Sequence, residues 1–298
     1  MIIIVKALRK LSFLIIKNVV FKRKINNLVH RVVETKVSKI LEKEKVNFSV
    51  KKNVNVTMEK YVWILWLQGE ENAPLLVKAC IASIKKHVPE DYNVTVISEN
   101  NISEFIELPA HIQKKYASGE ITRTHFSDIL RWALLATYGG LWMDSTIYLA
   151  NKLSLENCND LVTLKTPADE EDKYISRGRW CIFFIGVSDG YKPAKEMMNN
   201  LYRYWITENK LVDYFLVDYI FDSIVKSNSE LRDDIESNSN YTGDMYFLQE
   251  NLEREMTPLI SERINYNKPG VFKMSYKASL SENQSPETVL SHLLTDKI

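Results

Sequence analysis

Asp128 and Arg131 stand three residues apart on a stretch whose other positions are apolar at helical spacing. Asp144 follows inside a second apolar run, just past the pair Gly139-Gly140, and Thr146 lies two residues further on. A carboxylate and a guanidinium together make directional, charge-assisted hydrogen bonds. A carboxylate at a strand end, with an oxygen two residues later on the same face, can hold a cation that bridges diphosphate oxygens. Mg²⁺ and Mn²⁺ need only one or two protein carboxylates when the substrate supplies the rest. Each residue alone also has a plainer reading. Asp128 and Arg131 can be a helix-surface ion pair of roughly a few tenths of a kcal/mol, and Asp144 a turn or strand-end residue. On consecutive elements they favour a site.

Two elements must position these groups. Thr122–Tyr138 reads as a helix with Phe126, Ile129, Leu130, Ala133, Leu134 and Thr137 as its core stripe. Thr124, Asp128, Arg131 and Leu135 run down another side, and Gly139-Gly140 is the C-terminal stop. Leu141–Leu149 reads as one strand, with Trp142, Asp144, Thr146 and Tyr148 on one face. Upstream, Tyr61–Leu67 is a buried strand, Ala73–His87 a helix and Asn93–Ile97 a strand. Strand, helix, strand over so short a span is a βαβ unit, which calls for a parallel sheet with helices on its faces. A strand at Trp180–Val187 and helices at Pro193–Trp205 and Val212–Ile224 follow. The predicted class is α/β with a mixed, mostly parallel sheet. Such a sheet binds ligands at the carboxyl ends of its strands.

Taken in order, Ser127-Asp-Ile-Leu-Arg131 and Tyr138-Gly-Gly-Leu-Trp-Met-Asp-Ser-Thr146 resemble the SDxLR…YGGxxxDxD signature of DXD-containing glycosyltransferases with a Rossmann-like GT-A fold. Trp66-Leu-Gln-Gly-Glu-Glu-Asn-Ala-Pro74 is similar to the opening of the bacterial capsular polysaccharide synthesis subgroup, related to glycosyltransferase family 32. The likeness runs from about Lys60 to Leu149 and continues more weakly through Lys273-Met-Ser-Tyr-Lys277. It implies transfer of a hexose from a nucleotide-sugar, a UDP-sugar ahead of a GDP-sugar, to a saccharide acceptor in capsule or cell-surface polysaccharide synthesis. That acceptor would be lipid-linked, and the anomeric configuration retained. The donor site implied by the resemblance comprises Trp66, Gln68, Asp128, Arg131, Asp144, Ser145 and Thr146. Trp66 would stack on the nucleobase, Asp128 and Arg131 would hold the sugar and pyrophosphate, and Asp144 would contact Mn²⁺ or Mg²⁺. Asp144, Asp128 and Arg131 are also its catalytic candidates.

One position departs from the signature. Thr146 stands where DXD has its second Asp, and a neutral hydroxyl is a poor metal ligand. His292 and Asn283 are candidates for an additional ligand, and His125, one helical turn before Asp128, for reaching the donor pocket. Asp189, Asp213 and Asp218 are available as a base, with nothing in the sequence to choose between them. The missing Asp leaves room for an alternative, a non-catalytic saccharide- or nucleotide-sugar-binding relative of the same fold.

The chain has 298 residues with 39 Lys+Arg against 38 Asp+Glu, and 9 Gly and 8 Pro. Disorder and low-complexity classes are excluded. Cys80, Cys158 and Cys181 form neither a disulfide framework nor a CxxC pair, which points to a reducing compartment. The balance of charge hides an asymmetry: residues 1–52 carry 14 Lys/Arg and three acids. Ile4, Leu8, Leu11, Ile15 and Val19 make one stripe of an amphipathic helix over 2–24, with Lys6, Lys10, Lys17 and Lys24 roughly opposite. A second helical pattern follows (Leu28, Val32, Val33, Val37, Ile40, Leu41), and the boundary falls near Lys51–Glu59. The expected organisation is a basic helical extension over 1–55 and a catalytic body over 56–298. A basic amphipathic helix suits an anionic membrane surface, here the cytoplasmic face of the plasma membrane; packing on the body is its plainer reading. Nucleic acid is the weaker partner, because Phe13 and Phe21 alone do not interleave aromatic with basic residues.

Overall fold

A computed structural model describes residues 17–49, 60–154, 160–238, 240, 242–277 and 285–295, together with Ala7. Helix α1 (Val19–Leu41) comes first, capped by the Asn18 side chain. The body then runs β1 (Lys60–Leu65), α2 (Leu75–His87), β2 (Tyr92–Ile97), α3 (Ile102–Phe105), α4 (Ala110–Ala117), α5 (Arg123–Tyr138), β3 (Gly140–Met143), β4 (Ile147–Leu149), β5 (Leu161–Thr163) and β6 (Phe184–Val187). Helices α6 (Lys192–Thr207), α7 (Leu216–Ser227), α8 (Ser229–Ser237), α9 (Phe247–Asn251) and α10 (Pro258–Tyr266), strand β7 (Val271–Lys273) and helix α11 (Val289–Leu294) complete it.

The main sheet has the order β2-β1-β3-β6-β5. β1 pairs in parallel with β2 and β3, while β6 lies antiparallel between β3 and β5. Four of the five strands therefore point one way and β6 opposes them, so the predicted mixed, mostly parallel sheet with flanking helices is present. The run Tyr61–Leu65 is apolar throughout because both its faces are covered. Tyr61, Trp63 and Leu65 face the core shared with α5, α6 and α7, and Val62 and Ile64 face the core shared with α2, β3 and β7.

Two expectations change. Leu141–Leu149 is two strands. β3 belongs to the main sheet, β4 pairs with β7 in a separate two-stranded sheet, and Asp144-Ser145-Thr146 is the turn between them, closed by the Ile147 N–H on the Asp144 carbonyl. The alternation of apolar residues continues across the break because both short strands are buried. The second change concerns the expected extension over 1–55. Over α1 it is built into the body: Val29, Val33, Val37 and Ile40 lie in the same core as α5 to α7. Leu28 is 49% exposed, whereas Asn26 and His30 are buried. They are buried because they are bonded, Asn26 Nδ2 to the Glu171 carbonyl and His30 to Tyr219 Oη and the Asp172 carbonyl. Two of the arm's bases are also tied down, Lys22 to Glu171 and Arg23 to the Glu170 carbonyl. Lys6, Lys10 and most of the 2–24 stripe lie outside the described residues, as does the 51–59 boundary.

Candidate active site

Chain geometry brings the two halves of the motif together. Asp128 and Arg131 lie in the middle of α5, about 15 and 10 Å of helix before Tyr138. The chain reverses at Gly139-Gly140, and the four residue steps from Gly140 to Asp144 return about 13 Å in extended form. Asp144 thus arrives level with the helix residues. Reversal in so little space needs glycine: both have positive φ (68° and 91°), and a Cβ on Gly140 would sit 2.5 Å from the Tyr61 carbonyl oxygen of β1. Asp144 follows the last residue of β3, and Trp66 follows the last residue of β1, the strand paired with it. Both therefore stand at the carboxyl edge of adjacent parallel strands, on either side of which β2 and β6 were added, the position where open α/β sheets bind ligands.

At this edge the polar side chains form one connected cluster. Arg131 bridges the two carboxylates, donating from Nη1 to Asp128 Oδ1 at 2.5 Å and from Nη2 to Asp144 Oδ1 at 3.1 Å. Its guanidinium also lies over the Trp142 ring, 4.8 Å from the centroid, and the Trp142 indole N–H donates to Asp144 Oδ1 at 3.0 Å. The second Asp144 oxygen accepts from Lys273 Nζ at 2.8 Å, and the same ammonium donates to Thr146 Oγ1 at 2.7 Å. Arg131 is nearly enclosed, with 5% of its side chain exposed, while Asp128 and Asp144 keep 14% and 28% open to solvent. The guanidinium thus has little freedom, and the two carboxylates it holds remain reachable from solvent.

Burial on its own raises the Asp144 carboxyl. Lys273 and then Arg131, with the bonds from Lys273 and Trp142, outweigh it and hold the group at about 2. A second carboxyl near the cluster behaves oppositely. Burial pushes Asp218, in the first turn of α7, up to about 7 against the hydrogen bond it accepts from Trp180; Asp128 adds to the rise. Tyr214 is largely exposed; its phenol is raised by partial burial and then by Asp128 and Asp144.

The motif residues are thus largely assembled. Asp128, Arg131, Asp144 and Thr146 are linked through Arg131 and Lys273, and Ser145 sits buried within the same turn. Trp66 joins from β1 by an edge-on contact with Tyr276, ring centroids 5.3 Å apart, three residues beyond Lys273. Gln68 is exposed, its carbonyl accepting from Asn72, with no contact to the cluster among the described residues. His125 is buried beneath Asp128, with Nδ1 3.4 Å from its carboxylate and its ring against Trp205. The His292 Nδ1 is bonded to the carbonyl of Thr288 one turn earlier on its own helix, and Asn283 lies outside the described residues. Of the three base candidates, Asp218 lies near enough to the cluster for Asp128 and Arg131 to act on its ionisation. Lys273 and Trp142 were missed as functional groups. The alternation that puts Trp142 on the face of Asp144 was a usable signal; for Lys273 the signal was its motif, which came without a role.

The divalent cation expected at Asp144 does not suit this arrangement. Each Asp144 oxygen already has a cationic donor, Thr146 Oγ1 is taken by the same ammonium, and among the described residues no three His, Cys, Asp or Glu side chains gather as they would around a metal.

Comparison with known proteins identifies the family. The family model described as "Capsular polysaccharide synthesis protein" matches residues 14–293. The chain is 30% identical over 110 residues to "O-glycosyltransferase PaGT" of Phomopsis amygdali, covering 34% of this chain and 27% of the relative. It is 28% identical over 125 residues to "Glycosyltransferase afumC" of Aspergillus fumigatus, covering 39% and 32% respectively. The chain therefore spans about a quarter to a third of the length of these curated relatives. Among solved structures it is similar to "PaToxG Glycosyltransferase", at 14% identity with a TM-score of 0.39, covering 73% of this chain and 83% of that one.

Proposed function

This chain belongs to the capsular polysaccharide synthesis protein family, and from that premise we propose that it is a glycosyltransferase moving a hexosyl group from a nucleotide-sugar to a saccharide acceptor. A UDP-sugar is favoured over a GDP-sugar. The observation that carries the reading is the bridge Asp128–Arg131–Asp144 at the carboxyl edge of β1 and β3, with Trp66 on the neighbouring strand end. An aromatic ring suits a planar base, a guanidinium suits the diphosphate, and carboxylates suit sugar hydroxyls. In the reaction the bond from the anomeric carbon to the β-phosphate oxygen breaks, its electron pair staying on the diphosphate. The acceptor hydroxyl oxygen forms the new bond to that carbon, and its proton passes to the departing phosphate oxygen, with configuration retained. Arg131 stabilises the charge that develops on the leaving group. No step of this scheme runs through Mn²⁺ or Mg²⁺.

Capsule or cell-surface polysaccharide synthesis on a lipid-linked acceptor is part of the same proposal, with residues 1–16 lying on the anionic inner face of the plasma membrane. Deleting those residues, which end before the α1 cap at Asn18, is expected to release the protein from anionic vesicles while sparing donor hydrolysis; unchanged vesicle binding contradicts the membrane role. A thermal-shift screen with UDP-, GDP- and CMP-sugars tests the donor, because specific ligands raise apparent stability by mass action. The rival reading is a non-catalytic sugar-binding relative, which Thr146 in place of an Asp favours. Nucleotide-sugar hydrolysis that disappears in Asp144→Ala excludes it.

A further inference from the structure

The ammonium of Lys273 occupies the place that the DXD spacing reserves for a divalent cation. It lies between the two positions of that motif, at 2.8 Å from Asp144 Oδ2 and 2.7 Å from Thr146 Oγ1. The backbone fixes it there. Lys273 ends β7 opposite Ile147 of β4, and its N–H donates to the Met245 carbonyl. The side chain crosses the Phe183 ring, 4.9 Å from the centroid, and is 19% exposed. A metal with oxygen distances of about 2.1 Å has no room between those oxygens while the ammonium is present, and would meet a like charge.

We propose that Lys273 is the built-in counter-cation of the donor diphosphate and that this chain handles its nucleotide-sugar without a divalent metal. The proposal rests on the glycosyltransferase reading and deepens it. An ammonium carries three N–H donors; among the described residues Asp144 and Thr146 take two, which leaves one for a phosphate oxygen. Thr146 then ceases to be a defect of the motif. With two carboxylates, Asp128 and Asp144, against two cations, Arg131 and Lys273, the cluster has no net charge. A second Asp at 146 would make it acidic and repel the diphosphate. Thr146 and Lys273 are a matched pair, from segments 127 residues apart, that exchanges a metal and its second ligand for a lysine and a hydroxyl.

The test is calorimetric titration of the full-length protein with UDP and with GDP, first in excess EDTA and then in MnCl₂. The expected result is binding of at least one nucleotide with Kd values that agree within about threefold between the two buffers. Lys273→Met is expected to weaken binding in EDTA by about tenfold or more, and Lys273→Arg to retain most of it. The double substitution Thr146→Asp/Lys273→Ala is expected to bind only with Mn²⁺. Wild-type binding that requires Mn²⁺ overturns the proposal while leaving the glycosyltransferase reading intact, and needs no variant to fold. Failure of both nucleotides to bind in either buffer removes the donor reading and this proposal with it.

Discussion

Replacing Asp144 with Asn removes the charge that holds Arg131 and Lys273 together and leaves two cations sharing a poorly solvated site. The carboxyl sits at about 2 in the folded chain against an ordinary value of 3.8. At 1.36 kcal/mol per unit this corresponds to about 2 kcal/mol of stability. A carboxyl held below its unfolded value contributes fully above that unfolded value and loses its contribution as pH falls through the folded one, so the window is pH 4 to 2, with about half gone at pH 3. Because 28% of the Asp144 side chain is exposed, solvent screens part of this, and about 1–2 kcal/mol is expected at pH 7. At about 2.1 cal/mol/K per residue, that lowers Tm by roughly 2–3 °C. The assay is urea unfolding of wild type, Asp144→Asn, Lys273→Met and the double variant at pH 7, 5 and 3.5. The double variant is expected to be less damaged than the two single losses combined, with a coupling of about 1 kcal/mol. A coupling indistinguishable from zero at pH 7, or a wild-type advantage over Asp144→Asn that does not shrink between pH 5 and 3.5, refutes the electrostatic account of the cluster.

Three further outcomes are expected. Gly140→Ala is expected to destabilise by about 3 kcal/mol, because the new Cβ meets a neighbouring backbone at φ 91°, whereas Gly119→Ala, with φ 77° and nothing within 4 Å, is expected to lose only about 1 kcal/mol; equal losses in chemical denaturation contradict the steric argument. Asp218, raised from 3.8 to about 7, stabilises the fold most while protonated and loses that contribution as pH climbs from about 4 through 7, so Asp218→Asn is expected to gain on wild type by up to about 4 kcal/mol across that interval; parallel stability curves from pH 4 to 8 exclude it. Buried Asp222 pairs with Arg179 at 2.5 Å and Lys226 at 2.7 Å, and Asp222→Ala is expected to lower stability by about 3 kcal/mol at low salt; a change under 1 kcal/mol counts against a structural role for that pair of ion contacts.

The parts of the fold readable from the sequence are those set by local patterns. β1 announced itself as an apolar run between turn signals, α5 as a stripe closed by Gly139-Gly140, and the carboxylates at 128 and 144 as polar residues on apolar elements. They meet because helix and strand have nearly equal reach around a tight reversal, a quantity that residue counts alone supply. What stayed hidden depends on distant partners. The break at Asp144 exists because β4 finds β7, not β6, as its neighbour, and alternation of apolar residues looks the same on both sides of it. The apolar pattern of α1 found Val33, Val37 and Ile40 in the core but not Asn26 and His30, which are buried through bonds to residues 171, 172 and 219, and it included Leu28, which points outward. Lys273 could be quoted with its motif but not assigned, since nothing near it in sequence says that a strand will carry it to Thr146.

Pairing β4 with β7 has a consequence for the order of events during synthesis. Helix α5 and strand β3 leave the ribosome well over a hundred residues before β7, so Asp144 can meet Arg131 early but must wait for Lys273. A nascent chain, or one cut short before Val271, holds Asp144 and Thr146 without the ammonium that bonds both of them, even if β1 to β3 have already paired. The turn at Asp144–Thr146 therefore gains its last cationic partner only once the C-terminal strand has been made.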